Sequence, residues 1–371
     1  MLTKVSVVKG EDVARMVGQS IEHLGGIEQF ISPGEVVLIK PNSFAVQVPA
    51  NGNIARPEVV IALARLVRDA GAKRVIVGER NDKAFKTNFQ DTDVSDVAEL
   101  LPFDSAEHVT VNVQGAKALQ SPVTVAKILL DCDKHITVPV GKTHCGAGVT
   151  ACLKNAMGLM IGDETRKSHA YGVCNVPIDI NTLNWPVLGL IDMTIAQEGN
   201  FPGGDGRPVP MGLLVASSDI VAADATCARL MGYDPANVWM IRSAAARGLG
   251  VIADDEIALM GESVEQVGRN LTGVCFDPDE FGEKVNWQVD QRCLYCIQDA
   301  VSFLRTQAGQ ELLAKAGKLN IVAGPVRDVD LDEEYPTLVV GNCNAWLMDI
   351  GHFVHGCPPA VFHIAAQAKN I

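Results

Sequence analysis

The chain has 371 residues and a formal net charge of -13 at pH 7, with 47% hydrophobic and 20% charged residues. This acidic balance argues against a nucleic-acid partner, and the apolar content is too high for a disordered protein. No stretch predicts a membrane span, and the first residues predict a strand and not a signal peptide, so we expect a cytoplasmic protein. The length of the chain predicts two domains.

Short β-branched runs alternate with amphipathic helical stretches in the first part of the chain. The runs KVSVVK, EVVLIKPN and KRVIVGE predict strands, and segments 11–25 and 56–71 predict the helices between them. Pro57 suits the first turn of a helix, and Gly71 suits the position just after one. This rhythm predicts the α/β fold class, with a largely parallel or mixed sheet and flanking helices.

Further elements continue this pattern toward the C-terminus. Strands are predicted at 109–113, 134–140, 187–193, 210–217, 319–323 and in the run LVVGN. Helices are predicted at 219–232, 235–248, 292–306, 309–317 and 359–369. Segment 276–292 is acidic and has no clear period, so we expect the boundary there, between an α/β domain over 1–280 and a small C-terminal α/β module over 281–371.

Polar side chains cluster where strands of the larger domain are predicted to end. The run GKTHCGAGVTACLKNAMG at 141–158 follows an apolar strand, IKPN ends another, and the glycine-rich loop 197–208 follows a third. Ligands of open α/β sheets bind at the carboxyl ends of strands, so these segments predict a pocket for an anionic small molecule. The candidate catalytic residues are Lys142, His144, Lys154 and His169, and the candidate cofactor-binding residues are Lys40, Asn42 and Asn155.

Each of these residues, taken singly, has a structural explanation as well. A lysine can cover apolar surface, and an asparagine can satisfy a turn. Asp219, near a predicted strand end, suits a helix cap as well as a site. No segment matches the Walker loop or a dinucleotide fingerprint in the required context, so a nucleotide site of those kinds is not supported.

Ten cysteines in a chain of this class indicate metal or redox use ahead of disulfides. Cys293 and Cys296 form a C-x2-C pair at the start of a predicted helix, which allows two thiolates to converge on one metal centre. Cys343 follows a predicted strand, and Cys357 precedes two prolines that stiffen its loop. These four cysteines of the small module are therefore candidate metal ligands.

The identity of the metal centre has three interpretations at this point. A four-cysteine zinc site has the same ligand count, and the C-x2-C pair alone could be functional while the other two cysteines are ordinary residues. His352 and His355 lie between the last two cysteines and could substitute as ligands, and the alternative, which the sequence favours, is that both are solvent-facing or core histidines. The Gly-Cys-Pro-Pro loop and the long gap between the cysteine pairs favour an iron–sulfur cluster, because zinc sites usually show two compact knuckles.

Several motifs together resemble those of a known family. IKPN, PEVVIALARLVRDAGAKRVIVGE, GKTHCGAGVTACLKNAMGLMIGD, His169 and SSDIVAADATCARLMGYDP are similar, over about residues 35–262, to the domain-of-unknown-function family 362. The resemblance implies that related proteins often carry ferredoxin-like cluster modules and come from anaerobic bacteria and archaea. This favours an iron–sulfur cluster in this chain. The chain departs from that pattern because it lacks the C-x2-C-x2-C-x3-C run, and one 4Fe-4S cluster on four thiolates is the simplest fit.

Three functions are consistent with these features. The favoured one is an iron–sulfur redox enzyme or electron-transfer component, in which lysines hold an anionic molecule and a histidine moves the accompanying proton. The second is an isomerase or lyase in which His144 and His169 act as acid and base beside a structural metal. The third is a non-catalytic cluster carrier. A redox protein partner and a homo-oligomer are both compatible with the sequence.

Overall fold

The computed structural model describes residues 2–44, 49–89, 92–144, 146–165, 173–199, 206–273, 278–290, 294–359 and 361–371. Two of the candidate site residues, His169 and Cys293, lie outside these ranges. Among the described helices, none combines the length and the apolar character needed to cross a membrane.

Strands and helices alternate along most of the chain. The strands are β1 (Thr3–Lys9), β2 (Val36–Pro41), β3 (Arg74–Glu79), β4 (Glu99–Pro102), β5 (His108–Val111), β6 (Val123–Ala126), β7 (Lys134–Val138), β8 (Val140–His144), β9 (Gly148–Thr150), β10 (Leu188–Glu198), β11 (Arg207–Ser217), β12 (Ile257–Gly261), β13 (Val285–Val289), β14 (Leu319–Ala323), β15 (Thr337–Val340) and β16 (His352–Val354). The α-helices are α1 (Val13–His23), α2 (Pro57–Asp69), α3 (Asp82–Phe89), α4 (Ile128–Asp131), α5 (Cys152–Asn155), α6 (Val176–Asn181), α7 (Ile220–Leu230), α8 (Trp239–Ala246), α9 (Val264–Val267), α10 (Tyr295–Leu304), α11 (Gln307–Ala316) and α12 (Val361–Ala368).

The larger sheet is mixed, as the sequence predicts. Its strand order is β12-β1-β11-β10-β7-β2-β3-β4, and β8 pairs with β10 and β9. The strands from β10 through β7, β2 and β3 to β4 are all parallel, whereas β11 is antiparallel to both β1 and β10. The carboxyl ends of the parallel strands therefore meet along one edge, where β8 begins.

Helices cover both faces of this sheet and bury apolar side chains against it. In α1, Val13, Met16, Val17 and Ile21 are buried at helical spacing, and the Asp12 side chain caps the first turn. Helix α2 begins with Pro57 as predicted, and α1 and α2 pack on the same face. Helix α7 is buried nearly all round in the core of the opposite face.

A second sheet lies in the C-terminal part of the chain. Its order is β13-β14-β15-β16, and all neighbouring strands are parallel. Helices α10, α11 and α12 form its apolar core. The predicted small α/β module is therefore present, but β13 lies inside the segment 276–292 that the sequence left without a period. Its burial is only partial beyond Val285, which weakens the alternation that identifies a strand.

Candidate functional site

A cavity of about 450 Å³ opens at the carboxyl edge of the larger sheet. Every described candidate from the polar strand ends lines it. These are Lys40, Asn42, Lys142, His144, Lys154 and Asn155. The remaining candidate, His169, is among the positions that the structure does not describe. A volume of this size suits a small molecule.

The segment expected as a loop after residue 140 in fact contains two short strands, β8 and β9, and the short helix α5. Lys142 and His144 lie on β8, which pairs in parallel with β10 and antiparallel with β9. Lys154 and Asn155 lie on α5. The chain resumes a strand directly after Pro139, so hydrophobic patterning alone ends the strand too early. Alternation along a strand places Lys142 and His144 on the same side of β8.

Lys40 lies at the centre of a buried polar network. Its ammonium donates to Glu79 Oε2 at 2.5 Å, to Asn155 Oδ1 at 2.8 Å and to the carbonyl of Pro41 at 2.9 Å. Asn155 in turn donates to the carbonyl of Lys40 and to the hydroxyl of Thr137. An ammonium has three hydrogens to donate, so these bonds occupy it fully. Lys40 can therefore act on a ligand mainly through its charge.

The pKa values of the Lys40 and Glu79 pair reflect two opposed effects. Burial lowers the pKa of Lys40 and raises the pKa of Glu79, because both charged forms lose their hydration. Their mutual attraction opposes both shifts. Glu79 also accepts from the backbone N–H of Arg80 at 2.8 Å, which holds the carboxylate in place.

A glycine makes room for this pair. Gly158 lies in a 3-10 turn at Ala156–Leu159 and lines the cavity. A methyl group at Gly158 would overlap Glu79 Oε1 and lie 2.7 Å from Lys40 Nζ. The glycine in the Leu-Lys-Asn-Ala-Met-Gly element is therefore required by close packing against the ion pair.

Lys142 donates hydrogen bonds to two uncharged oxygen atoms. Its Nζ donates to Asn42 Oδ1 at 2.7 Å and to the carbonyl of Asn53 at 2.8 Å, and lies 5.0 Å from the centre of the Phe44 ring. Burial, with smaller contributions from the charges of Lys154 and Lys40, lowers the pKa of Lys142 to about 7. An amine with this pKa exchanges a proton readily at neutral pH.

His144 has a defined hydrogen-bond orientation. Its Nδ1 accepts from the backbone N–H groups of Gly146 at 2.9 Å and Ala147 at 3.2 Å. Its Nε2 lies 3.5 Å from the hydroxyl of Tyr295, and the two rings meet edge to face at 5.7 Å between centroids. Tyr295 begins α10, so a residue of the C-terminal module forms part of the cavity wall.

The charge of the cavity favours an anion. Among its lining residues, the cations Lys40, Arg80, Lys142 and Lys154 outnumber the carboxylates. Two carboxylates are present, Glu79 and Asp104. Since Glu79 is already joined to Lys40, the remaining positive side chains give the cavity a field that attracts a negatively charged molecule.

Sequence reasoning missed three residues of this wall: Glu79, Arg80 and Tyr295. Glu79 could have been found, because it is the last residue of β3, beside the strand that ends with the Lys-Pro of IKPN, and carboxyl ends of parallel strands meet. Arg80 follows it directly. No local signal exists for Tyr295, which reaches His144 across 151 positions of sequence.

Three aspartates serve the scaffold, and two of them, Asp192 and Asp224, are buried. Asp219 caps α7 by accepting from the N–H groups of Val221 and Ala222, as the sequence allows. Asp224 accepts from the N–H groups of Cys152 and Leu153 and so holds the start of α5. Asp192 accepts from the N–H of Arg56 and from Thr194.

The three described cysteines of the small module follow parallel strands, at their carboxyl ends. Cys296 is buried in the first turn of α10, while Cys343 follows β15 and Cys357 follows β16, both exposed. A methyl group at Gly341 would lie 2.6 Å from Cys296 Sγ and 3.7 Å from Cys343 Sγ. The two sulfurs therefore border the same small space.

The Cys357 loop is tied to the Cys343 loop by backbone contacts. Asn342 N–H donates to the carbonyl of Gly356, and Gly356 N–H donates to the Asn342 side chain, both at 2.9 Å. Within the described residues, no three His, Cys, Asp or Glu side chains form a group that could hold a metal ion. Cys293 is not among those residues, so the four-cysteine site stays a prediction.

Comparison with known proteins gives one family and one curated relative. The model described as "Domain of unknown function (DUF362)" matches residues 37–229. A thylakoid-associated protein from Synechocystis sp. is 30% identical over 247 residues, which cover 63% of this chain and 74% of that protein.

Two solved structures show a more distant likeness. They are a protein from Thermotoga maritima and the lactate racemase apoprotein from Thermoanaerobacterium thermosaccharolyticum, each 12% identical with a TM-score of 0.35. The matches cover 59% and 60% of this chain. They span 59% and 58% of the two solved chains, which is less than two thirds of either. Likeness at this level carries no argument about activity.

Proposed function

The chain belongs to the DUF362 family, and we propose that it is a cytoplasmic iron–sulfur redox enzyme that acts on a small anionic molecule. The proposal joins two parts of the molecule. One part is the positively charged cavity at the edge of the larger sheet, and the other is the group of cysteines at the edge of the smaller sheet.

One observation carries the proposal. Tyr295 lies in the cavity wall against His144, and Cys296 is the next residue in the chain. Leu294 N–H also approaches the carbonyl of Gly146, at 3.4 Å. A centre held by the cysteines would therefore stand close to a molecule in the cavity, which is the arrangement that electron transfer requires.

The cysteine chemistry fits an iron–sulfur group. Cys293, Cys296, Cys343 and Cys357 would hold it, and thiolates are the usual ligands of such clusters. The space beside Gly341, bordered by two sulfurs, is a cradle that any larger side chain would fill. When bound, the group would supply single electrons to a molecule in the cavity.

The remaining residues position the anion and exclude water. Lys154 and Arg80 offer charge-assisted hydrogen bonds to an anionic group. Phe44 and Met157 supply apolar wall that strengthens those interactions by lowering the local dielectric. His169, near the same motifs in sequence, remains a proposed member of the site.

The test is anaerobic purification followed by iron and sulfide analysis and an electron paramagnetic resonance spectrum of the reduced protein. We expect about four iron and four sulfide per chain, and Cys343→Ser should lose most of both. Cys132→Ala is the matched control, because Cys132 is buried in a core of the larger domain. A colourless protein that contains zinc, or one without metal, would contradict the proposal.

A further inference from the structure

The contacts of His144 and Lys142 assign different roles to these two neighbours. We propose that His144 is a neutral hydrogen-bond donor to a carbonyl oxygen of the substrate, and that Lys142 is the group that accepts and returns the proton. The substrate would then be a small carboxylate that carries a carbonyl group. This inference rests on the proposed function only in that the cavity holds an anion, and it does not require the metal.

The first step concerns the protonation of His144. Two backbone N–H groups donate to its Nδ1, from Gly146 and Ala147. An N–H group can only donate, so Nδ1 carries a lone pair and the neutral ring carries its hydrogen on Nε2. A proton added to Nδ1 would face two N–H groups and lose both hydrogen bonds. The imidazolium form is therefore disfavoured by its neighbours.

The second step concerns which ring nitrogen of His144 is available to a molecule in the cavity. Nε2–H is the edge of His144 that approaches Tyr295, another residue of the cavity wall. The only basic lone pair of the ring points to the backbone, so the ring cannot take a proton from a molecule in the cavity. It can donate a hydrogen bond to an oxygen on which negative charge develops. This differs from the acid-base role that the sequence suggests for the histidine.

The third step identifies the base. Lys142 lies two residues before His144 on β8, so both side chains project from the same side of the strand into the cavity. Its hydrogen-bond acceptors, the Asn42 side chain and the Asn53 carbonyl, are uncharged. Burial lowers the pKa of Lys142 to about 7, which makes the neutral amine available near neutral pH. The charged and titratable groups around it in the cavity are Lys40, Glu79, Arg80, Asp104, His144, Lys154 and Tyr295.

The fourth step balances the chemistry. A C–H bond next to the substrate carbonyl breaks, its proton forms an N–H bond on Lys142, and the electron pair delocalises onto the carbonyl oxygen. The Nε2–H of His144 stabilises that oxygen, and Lys154 and Arg80 hold the carboxylate. The reverse transfer restores the C–H bond, so no oxidant or co-reactant is consumed.

The histidine assignment is tested by nitrogen-15 magnetic resonance of the full-length protein labelled on histidine. The His144 signals are identified by their absence in His144→Gln. Between pH 5.5 and 8 we expect an unprotonated Nδ1 and a protonated Nε2 throughout. Titration to imidazolium in this range, or a hydrogen on Nδ1, would overturn the proposal.

Oxalate, a small planar carboxylate, tests the donor role by calorimetry. His144→Gln keeps an N–H near the position of Nε2, whereas His144→Leu removes it. We expect oxalate to bind the wild type and the glutamine variant similarly, and the leucine variant about tenfold or more weakly. Equal loss in both variants, or no binding of oxalate to the wild type, would contradict a donor to a carbonyl oxygen.

Lys142 is tested by trace acetylation with acetic anhydride across pH, read by peptide mass spectrometry. Its reactivity should reach half-maximum near pH 7, whereas that of Lys127, whose pKa is raised by Asp131, should rise only in alkaline solution. A Lys142 that follows Lys127, or that stays unreactive, would overturn its role as base. Iron analysis does not enter these measurements, so their failure and the failure of the redox proposal are distinguishable.

Discussion

At the scale of single residues, the site depends on how buried charges are compensated. Lys40 is 1% exposed, and an isolated ammonium at such a position would be strongly disfavoured. Glu79, Asn155 and the Pro41 carbonyl together satisfy it. The sequence identifies Lys40 and Asn155 because they lie in polar motifs that follow apolar strands, but their mutual contact spans 115 positions and leaves no local pattern.

The packing of this network predicts the effect of Gly158→Ala. The added methyl group would overlap Glu79 Oε1 and crowd Lys40 Nζ, so one of the two charged groups must move in a buried space. We expect a loss of about 1–3 kcal/mol in the free energy of unfolding, measured by urea denaturation.

Gly18→Ala is the matched control for that change. Gly18 lies inside α1, and its added methyl group would meet nothing within 4 Å. Because alanine favours a helix over glycine, this variant should gain about 0.5–1 kcal/mol. If Gly158→Ala were as stable as Gly18→Ala, the ion pair would not be tightly packed.

The cysteine cradle gives a second prediction at this scale, Gly341→Ala. The methyl group would lie 2.6 Å from Cys296 Sγ and displace it, so we expect the protein to lose most of its bound iron. Gly317→Ala serves as the control, since Gly317 also has a positive φ, of 73°, but open space around it. Iron analysis of both variants after anaerobic purification tests this prediction. Equal iron content in the two variants would contradict a role of the space beside Gly341 in iron binding.

At the scale of elements, the sequence predicts most of the longer strands and helices but not the short elements between them. Strand β14 is predicted with its observed bounds, and α1 and α2 end two residues before Gly25 and Gly71, where the predicted helical segments stop. Their apolar stripes and the glycines that follow them are local signals. The sequence does not predict short elements such as β8 and α5, because four or five residues are too few to show a hydrophobic period. Those two elements carry Lys142, His144, Lys154 and Asn155, so the site residues were found from motif chemistry instead.

A single carboxylate links α7 to α5, and it predicts a pH dependence. Burial raises the pKa of Asp224 to about 7, above its value in the unfolded chain. Between about pH 4 and 7 the folded protein therefore binds more protons than the unfolded one, so Asp224 favours folding more as the pH falls. From pH 8 to 5.5 this contribution should rise by up to about 2 kcal/mol.

Asp224→Asn isolates this contribution. The variant cannot titrate, and its amide leaves one of the N–H groups of Cys152 and Leu153 without an acceptor, which costs about 1–3 kcal/mol at any pH. The stability difference between wild type and variant, from urea denaturation at pH 5.5 and 8, should therefore be larger at pH 5.5. A constant difference would mean that Asp224 is already ionised at the lower pH.

At the scale of the whole molecule, Tyr295 of the C-terminal module lies in the wall of the cavity of the larger sheet. The larger sheet has the cavity at the carboxyl ends of its strands, and Cys296, Cys343 and Cys357 lie at the equivalent ends of the smaller sheet. The rule that ligands bind at such edges predicts the cavity from sequence, whereas the cysteine site is predicted from cysteine spacing. It cannot predict that Tyr295 brings them together, because packing between distant segments is set by surface shape.

This junction predicts the consequence of Gly146→Ala. A methyl group at Gly146 would overlap the Tyr295 ring and lie 2.5 Å from its Cζ, so the ring and the start of α10 must shift away from His144. We expect faster hydrogen exchange in the peptide that contains Tyr295 and the first turn of α10, by about tenfold for each 1.4 kcal/mol of lost local stability. Exchange in α1, remote in the fold, should stay unchanged.

A double variant separates the junction from general damage. In Tyr295→Ala the ring that Gly146→Ala would strike is gone, so adding Gly146→Ala to that background should change exchange in α10 by little. Residues in contact show such non-additivity, whereas independent sites add. If the effects of the two substitutions on hydrogen exchange were additive, Gly146→Ala would act on the backbone of its own turn and not through Tyr295. That result would contradict a structural connection from the cavity through Tyr295 to Cys296.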